Sequence, residues 1–252
     1  MSAVAEQRSS FARVPAAFRL QFAVPGTMIG VPVLVFVAAW ALALGIVVWV
    51  HQVDDRGADL AAEPIYTGAS QAALWCLVFM AAYSATHAFP FSMALSYSRR
   101  VFVIGAFLAF AALSLGFGAA YALAAWIEDI TGGYGIEAYN FDLPYLTEGP
   151  GGILSAGLAM TVVCLMLMLL AFGVTMFYQR VGLLAFWAAL LGTVAVLAAA
   201  VMLVTVNDGW GTVWEWLQNQ TALSISGWLM LPTLGFGVLS YVTIRKSVPA
   251  SS

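Results

Sequence analysis

Residues 153–206 read ILSAGLAMTVVCLMLMLLAFGVTMFYQRVGLLAFWAALLGTVAVLAAAVMLVTV. From Ile153 to Tyr178, and again from Val181 to Val206, no charged residue interrupts the apolar run. An α-helix rises 1.5 Å per residue, so about 20 apolar residues cross a hydrocarbon core about 30 Å thick. Each run is long enough to cross alone, and the Gln179-Arg180 pair between them marks a return at a membrane face. Backbone groups left unpaired in lipid are costly, and the runs lack the alternation of barrel strands, so both are helices.

Outward from this segment, the same criterion gives four further spans: Ile29 to Val50, Ala69 to Ala88, Val101 to Ile127 and Ala222 to Ile244. The composition agrees, with 63% hydrophobic and 8% charged residues, where a soluble domain carries about 25% charged. The expected architecture is an all-α membrane protein: one transmembrane domain over residues 1–252, with six helices and residues 1–28 as a cytoplasmic, interfacial segment. Arg8, Arg13 and Arg19 are spread through the first twenty residues, unlike a cleaved secretory signal, so the N-terminus is expected to be retained.

The charges sort by side. Arg8, Arg13, Arg19, Arg99, Arg100, Arg180, Arg245 and Lys246, eight of the nine basic residues, fall in the N-terminal segment, two alternate links and the C-terminal tail. Asp54, Asp55, Asp59, Glu63, Glu128, Asp129, Glu137, Asp142, Glu148, Asp208 and Glu215, eleven of the twelve acids, fall in the other three loops, with Arg56 the one basic exception. The positive-inside rule puts both termini in the cytoplasm and the acidic loops outside. A missed or invented helix would mix the signs downstream, so six spans fit better than five or seven.

Phe11, Val14, Phe18 and Phe22 recur at helical spacing beside Arg13 and Arg19. This suits a short helix in the inner interface that begins near Pro15, or else an ordinary basic flank. Outside, Glu128 to Gly152 is the largest exposed segment, rich in Gly, Pro, acids and Tyr134, Tyr139, Phe141 and Tyr145, and reads as an ordered lid. Asn207 to Thr221 carries Trp210 and Trp214 on one helical face, beside Trp216; a small interfacial helix and an aromatic belt are equally good readings.

Several chemistries have no footprint. No span holds an ionisable residue well inside the hydrocarbon zone, the usual mark of proton- or ion-coupled transport. His51 and His87 sit at span ends on opposite sides and cannot share a metal. Cys76 and Cys164 lie in separate apolar runs and read as small buried residues. There is no G-x-x-x-x-G-K-[ST] loop, no H-E-x-x-H and no nucleophile paired with a base. The chain is expected to bind no cofactor or metal of its own, to catalyse nothing alone and to bind no nucleic acid. A membrane-embedded enzyme acting on lipids or quinones would need clustered His, Asp or Glu at one interface, which is not found.

Between the second and third spans runs Phe89-Pro90-Phe91-Ser92-Met93-Ala94-Leu95-Ser96-Tyr97-Ser98-Arg99-Arg100, on the cytoplasmic side. Pro90 is expected to end the second helix. Phe91, Ala94, Leu95 and Ser98 then share one side of a short helix that projects from the membrane face, unless the segment is a plain amphipathic turn.

The run Phe89-Pro90-Phe91, with Ala94-Leu95-Ser96, Ser98-Arg99-Arg100, Phe102 and Gly105, resembles the signature of permease subunits of bacterial ATP-binding-cassette (ABC) transporters of the second, six-helix exporter class, of the small actinobacterial type. The layout is also similar: an interfacial N-terminal helix, six spans, a cytoplasmic coupling helix after the second, and a small outer element before the sixth. The resemblance implies a plasma-membrane permease without ATPase activity of its own. It would be paired with a second copy or a related permease and energised by separate ATPase subunits that carry ATP and Mg.

Phe89, Pro90, Phe91, Ser92, Met93, Leu95, Ser98, Arg99 and Arg100 would then contact the ATPase, and export of an amphipathic or hydrophobic substrate would follow. Met160, Met166, Met168 and Met176 on the fourth span are candidates to line the substrate path, with core or lipid-facing Met the alternative. A non-transporting scaffold or accessory subunit of a membrane complex is the alternative function. Gly116, Gly118, Gly235 and Gly237 are expected to allow close helix approach, and Pro32 and Pro232 to kink their helices.

Overall fold

The computed structural model describes residues 10–23, 26–53 and 64–246. Arg8, Asp54, Asp55, Arg56, Asp59 and Glu63, used above in the charge sorting, lie outside the described residues, as does the side chain of Phe11.

A 3-10 turn, Ser10–Arg13, leads into α1 (Val14–Gln21), and a π-helical turn, Gly26–Gly30, precedes α2 (Val31–Val53). Strand β1 (Ile65–Tyr66) is followed by α3 (Ser70–Tyr83), a second π-helical turn (Ser84–Ala88) and α4 (Phe89–Ala94). Next come α5 (Arg99–Thr131), strand β2 (Ala138–Tyr139) and α6 (Pro144–Thr147). The chain continues as α7 (Gly152–Val206), α8 (Trp210–Gln218) and α9 (Ala222–Lys246).

Among the described residues, five helices are long and apolar enough to cross a membrane: Met28–Gln52, Ser70–Ala94, Arg99–Thr131, Gly152–Val206 and Ala222–Ile244. The chain thus has the make-up of a multi-pass membrane protein. The fourth has 55 residues, which as one straight helix would be about 80 Å long, more than twice a hydrocarbon core. It is not one straight helix. Gly182 has φ 75° and ψ 177°, a conformation essentially confined to glycine, so α7 consists of two arms, 152–181 and 183–206.

α5 is the centre of the bundle. Just over half of its apolar window, 56%, is buried, against 6% for the helix at the N-terminal side. It packs along the first arm of α7, which also holds α3 and α9. The closest crossing is at Gly118, where a Cβ would collide with Thr161 and with the Gly157 carbonyl, so α5 and α7 touch backbone to backbone. Of the glycines expected to allow close approach, Gly118 does so. Gly116 and Gly235 face open space, and Gly237 meets neighbours only at ordinary contact distance. The actual close contacts are at Gly105, Gly118, Gly157 and Gly173, because proximity depends on which helix lies opposite and not on local spacing.

α1 starts beside Pro15, which occupies its first turn, where no N–H is needed. Its face is not purely one for lipid: Ala17 and Gln21 are buried, with Ala17 against the backbone of Gly105 on α5. Arg13 and Arg19 point to the exposed side, while Phe18 and Phe22 pair at 5.1 Å between ring centroids. Ser84 Oγ, at the start of the second π-turn, donates to Gln21 Oε1 at 2.7 Å and ties α1 to the end of α3.

Pro90 does not end the second span. The helical path runs on from Ser70 to Ala94, because the π-turn lies just before the proline: the Phe89 N–H reaches back to the Ser84 carbonyl, and Pro90 falls in the first turn of α4. Pro32 likewise stands in the first turn of α2, whereas Pro232 lies inside α9.

Basic residues Arg13, Arg19, Arg99, Arg100 and Arg180 gather at one end of the bundle, where Arg180 donates to the Thr243 carbonyl at 3.5 Å near the end of α9. The other end carries the acids. There the chain departs from a purely helical plan: β1 and β2 pair in parallel, with Ile65 opposite Ala138 and Tyr66 opposite Tyr139.

Candidate functional site

At the basic end, the residues from Phe89 to Arg100 divide into a rooted side and a free side. Phe89 packs on Phe102 at 5.4 Å between ring centroids, Met93 lies against the core, and Ser92 is buried with its hydroxyl on the Phe89 carbonyl at 2.7 Å. Pro90, Phe91, Ala94, Leu95, Ser98 and Arg100 are exposed, with Phe91 at 55% and Leu95 at 49%. Phe91 and Ala94 lie on α4, whereas Leu95 and Ser98 follow it in the turn before α5. Ser96 reverses the chain at φ 60°, and Ser98 caps α5 by accepting the Val101 N–H at 3.4 Å. The result is a knob with two large apolar tips, followed by Arg99 and Arg100.

The four methionines named as path candidates stand on the first arm of α7. Met160, Met168 and Met176 are buried in the core and Met166 is half-buried. Met168 Sδ accepts the Ser114 hydroxyl at 3.6 Å. Methionine's flexible side chain fills core gaps here.

At the acidic end stands a group that charge sorting assigned to an exposed loop. Glu128, in the last turn of α5, is completely buried. Its carboxylate accepts the backbone N–H groups of three successive lid residues: Asn140 at 2.9 Å, Phe141 at 2.8 Å and Asp142 at 2.9 Å. Asn140 Nδ2 adds a bond at 3.2 Å and the Tyr134 hydroxyl one at 3.3 Å. Tyr134 in turn accepts from Trp40 Nε1 of α2 at 3.1 Å. Burial and then the negative charge of Glu128 hold the Tyr134 phenol above its ordinary pKa.

The same lid is tied to the loop before α3. Ile65 and Thr67 donate backbone N–H groups to Glu137 and Tyr139, both at 2.9 Å, and the Thr67 hydroxyl bonds Asn140 Oδ1. The segment 128–152 is thus an ordered lid, but Asn140, Phe141, Leu143 and Leu146 are buried within it. Between it and the start of α7 lies a cleft of about 500 Å³ lined by Asp129, Asp142, Glu148, Thr147, Ile153 and Leu154 among others. His51, at this end, bonds the Val47 carbonyl, and His87, at the other, stacks on Tyr83 at 4.2 Å. Both cysteines are free thiols, Cys164 buried and Cys76 half-buried.

Glu128 lies twelve residues before Asn140, and its partners are main-chain groups that carry no side-chain signature. Its spacing in a loop-like, acid-rich stretch therefore gave no signal. Comparison of the chain with protein-family models, with curated proteins and with solved structures returns no match.

Proposed function

We propose that this chain is the membrane-spanning permease subunit of an ABC transporter of the plasma membrane. In this reading it exports an amphipathic or hydrophobic substrate, pairs with a second permease copy or a related permease, and is energised by separate ATPase subunits. The observation that carries the reading is the knob at the basic end, where Phe91 and Leu95 stand exposed on a segment rooted by Phe89, Ser92 and Met93. The basic end faces the cytoplasm by the positive-inside rule, so the knob is presented where a soluble ATPase would be found.

Six crossings with both termini inside follow if each arm of α7 crosses separately, with Gly182 and Arg180 at the inner face between them. A push on Phe91 and Leu95 has two routes into the bundle. One is the Phe89–Phe102 contact with α5, and the other is the Ser84–Gln21 hydrogen bond with α1. The arm 183–206 is exposed on nearly every face and carries Ala188, Gly192, Ala195 and Ala199 along one stripe. Small residues let transmembrane helices approach closely, which suits cover by a second permease copy as well as by lipid.

The test is the double substitution F91D/L95D. It is expected to abolish ATPase association while membrane insertion is kept, since Phe91 and Leu95 stand at the very end of the Ser70–Ala94 helix and the run before Phe89 is long enough to cross without them. Normal recruitment and transport by the double variant would refute the assignment and leave a non-transporting scaffold as the reading to pursue.

A further inference from the structure

Phe141 closes the acidic end of the bundle. It is 1% exposed and lies between rings of two helices, stacked on Phe36 of α2 at 5.1 Å and edge-on to Tyr121 of α5 at 5.3 Å. α2 itself packs on α3 and reaches α5 through aromatic rings, with Phe36 on Phe117 at 6.3 Å. The seam between α2 and α5 is therefore filled by side chains and not by a tight backbone crossing. Beneath Phe141 the Tyr121 hydroxyl is buried and bonds no protein atom among the described residues. An orphaned polar group in a buried site calls for an explanation, and a state in which the seam is wet supplies one.

Phe141 is held in place by Glu128 through its own N–H and those of its two neighbours. These bonds are of a kind that water replaces one for one when a lid lifts. The lid also carries strain: Tyr134 and Glu137 have φ values of 62° and 51°, which L residues seldom adopt.

We propose that Phe141 is a plug at the outer end of the seam between α2 and α5, and that the Glu128 carboxylate is the latch that holds it. Release of the Asn140–Asp142 amides withdraws Phe141 and opens the Tyr121 hydroxyl to the outer medium. The proposal rests on the permease reading in one respect: a plug serves a chain that passes a substrate.

The experiment is labelling of Y121C, in a C76A/C164A background, by a membrane-impermeant maleimide added to intact cells. Slow labelling is expected with Glu128 present, and labelling at least tenfold faster in E128A, with E128Q between them. A disulfide across the ladder partners in Y66C/Y139C, formed in the E128A chain, is expected to restore slow labelling, which a globally unfolded variant would not show. Equal slow rates with and without Glu128 overturn the latch, and equal fast rates overturn the plug. The labelling involves no ATPase. A chain that behaves in this way but has no nucleotide-binding partner keeps the latch and loses the permease reading, whereas a partnered chain whose Tyr121 position is always open loses the plug alone.

Discussion

The Glu128 carboxylate lies 2.8 Å from the backbone nitrogen of Phe141, and with the amides on either side it forms the one fully buried acidic centre among the described residues. Removing it leaves three lid amides without a partner, and each buried unsatisfied donor costs about 1–3 kcal/mol. Because a lifted lid gives the freed amides to water, E128A is expected to lose no more than about 3 kcal/mol of stability, read as a lowered thermal midpoint in detergent. E128Q, which keeps one acceptor oxygen, is expected to lose less. A midpoint for E128A equal to that of the parent chain would contradict the geometry.

Gly182 separates the two arms of α7 at a φ of 75°, and outside its own stretch of backbone no described residue comes within 4 Å of where a Cβ would stand. The cost of G182A is therefore one of backbone conformation alone, about 1–3 kcal/mol. Thermal unfolding of G182A beside G116A, whose site is equally open but whose φ is not positive, isolates that cost. G116A is expected to be neutral or better.

Gln21 is buried with Oε1 bonded to Ser84 and Nε2 bonded to no protein atom among the described residues. S84A strands a second polar atom and is expected to cost about 1 kcal/mol or more, whereas Q21L/S84A replaces both partners by apolar groups and is expected to be near neutral. A double-mutant cycle by thermal denaturation reads the coupling directly. Additive losses would show that α1 is not tied to the π-turn through this pair.

The Tyr134 phenol has its pKa raised by burial and by Glu128. A raised folded-state pKa gives stability that is complete below the ordinary phenol value of about 10 and is lost as pH rises through the folded value. Exchange of the Asn140–Asp142 amides, corrected for intrinsic rates, is expected to quicken above about pH 10, and Y134F is expected to remove that dependence. A profile unchanged in Y134F would contradict it.

The long apolar segments were legible in the sequence because apolar length is a local property: Ile29 to Val50 reappears as Met28–Gln52, and Val101 to Ile127 lies within Arg99–Thr131. The short helix that bears Phe91 and Ala94 was legible for the same reason, as a helical period over a few residues. What was not legible depends on which distant segments meet. The two-residue strands at Ile65 and Ala138 are too short to show alternation. Ala17 is buried because Gly105 leaves room for it, and Pro90 is absorbed by a π-turn whose register no residue type announces. Glu128 looked like one loop acid among several, and only its position opposite three main-chain amides sets it apart.

The most direct test of the permease reading is purification of the tagged full chain from its native host in mild detergent, with native mass spectrometry of what comes with it. The account predicts two permease chains with two ATPase subunits, the ATPase being lost from F91D/L95D. A chain that repeatedly emerges with no nucleotide-binding partner would contradict it.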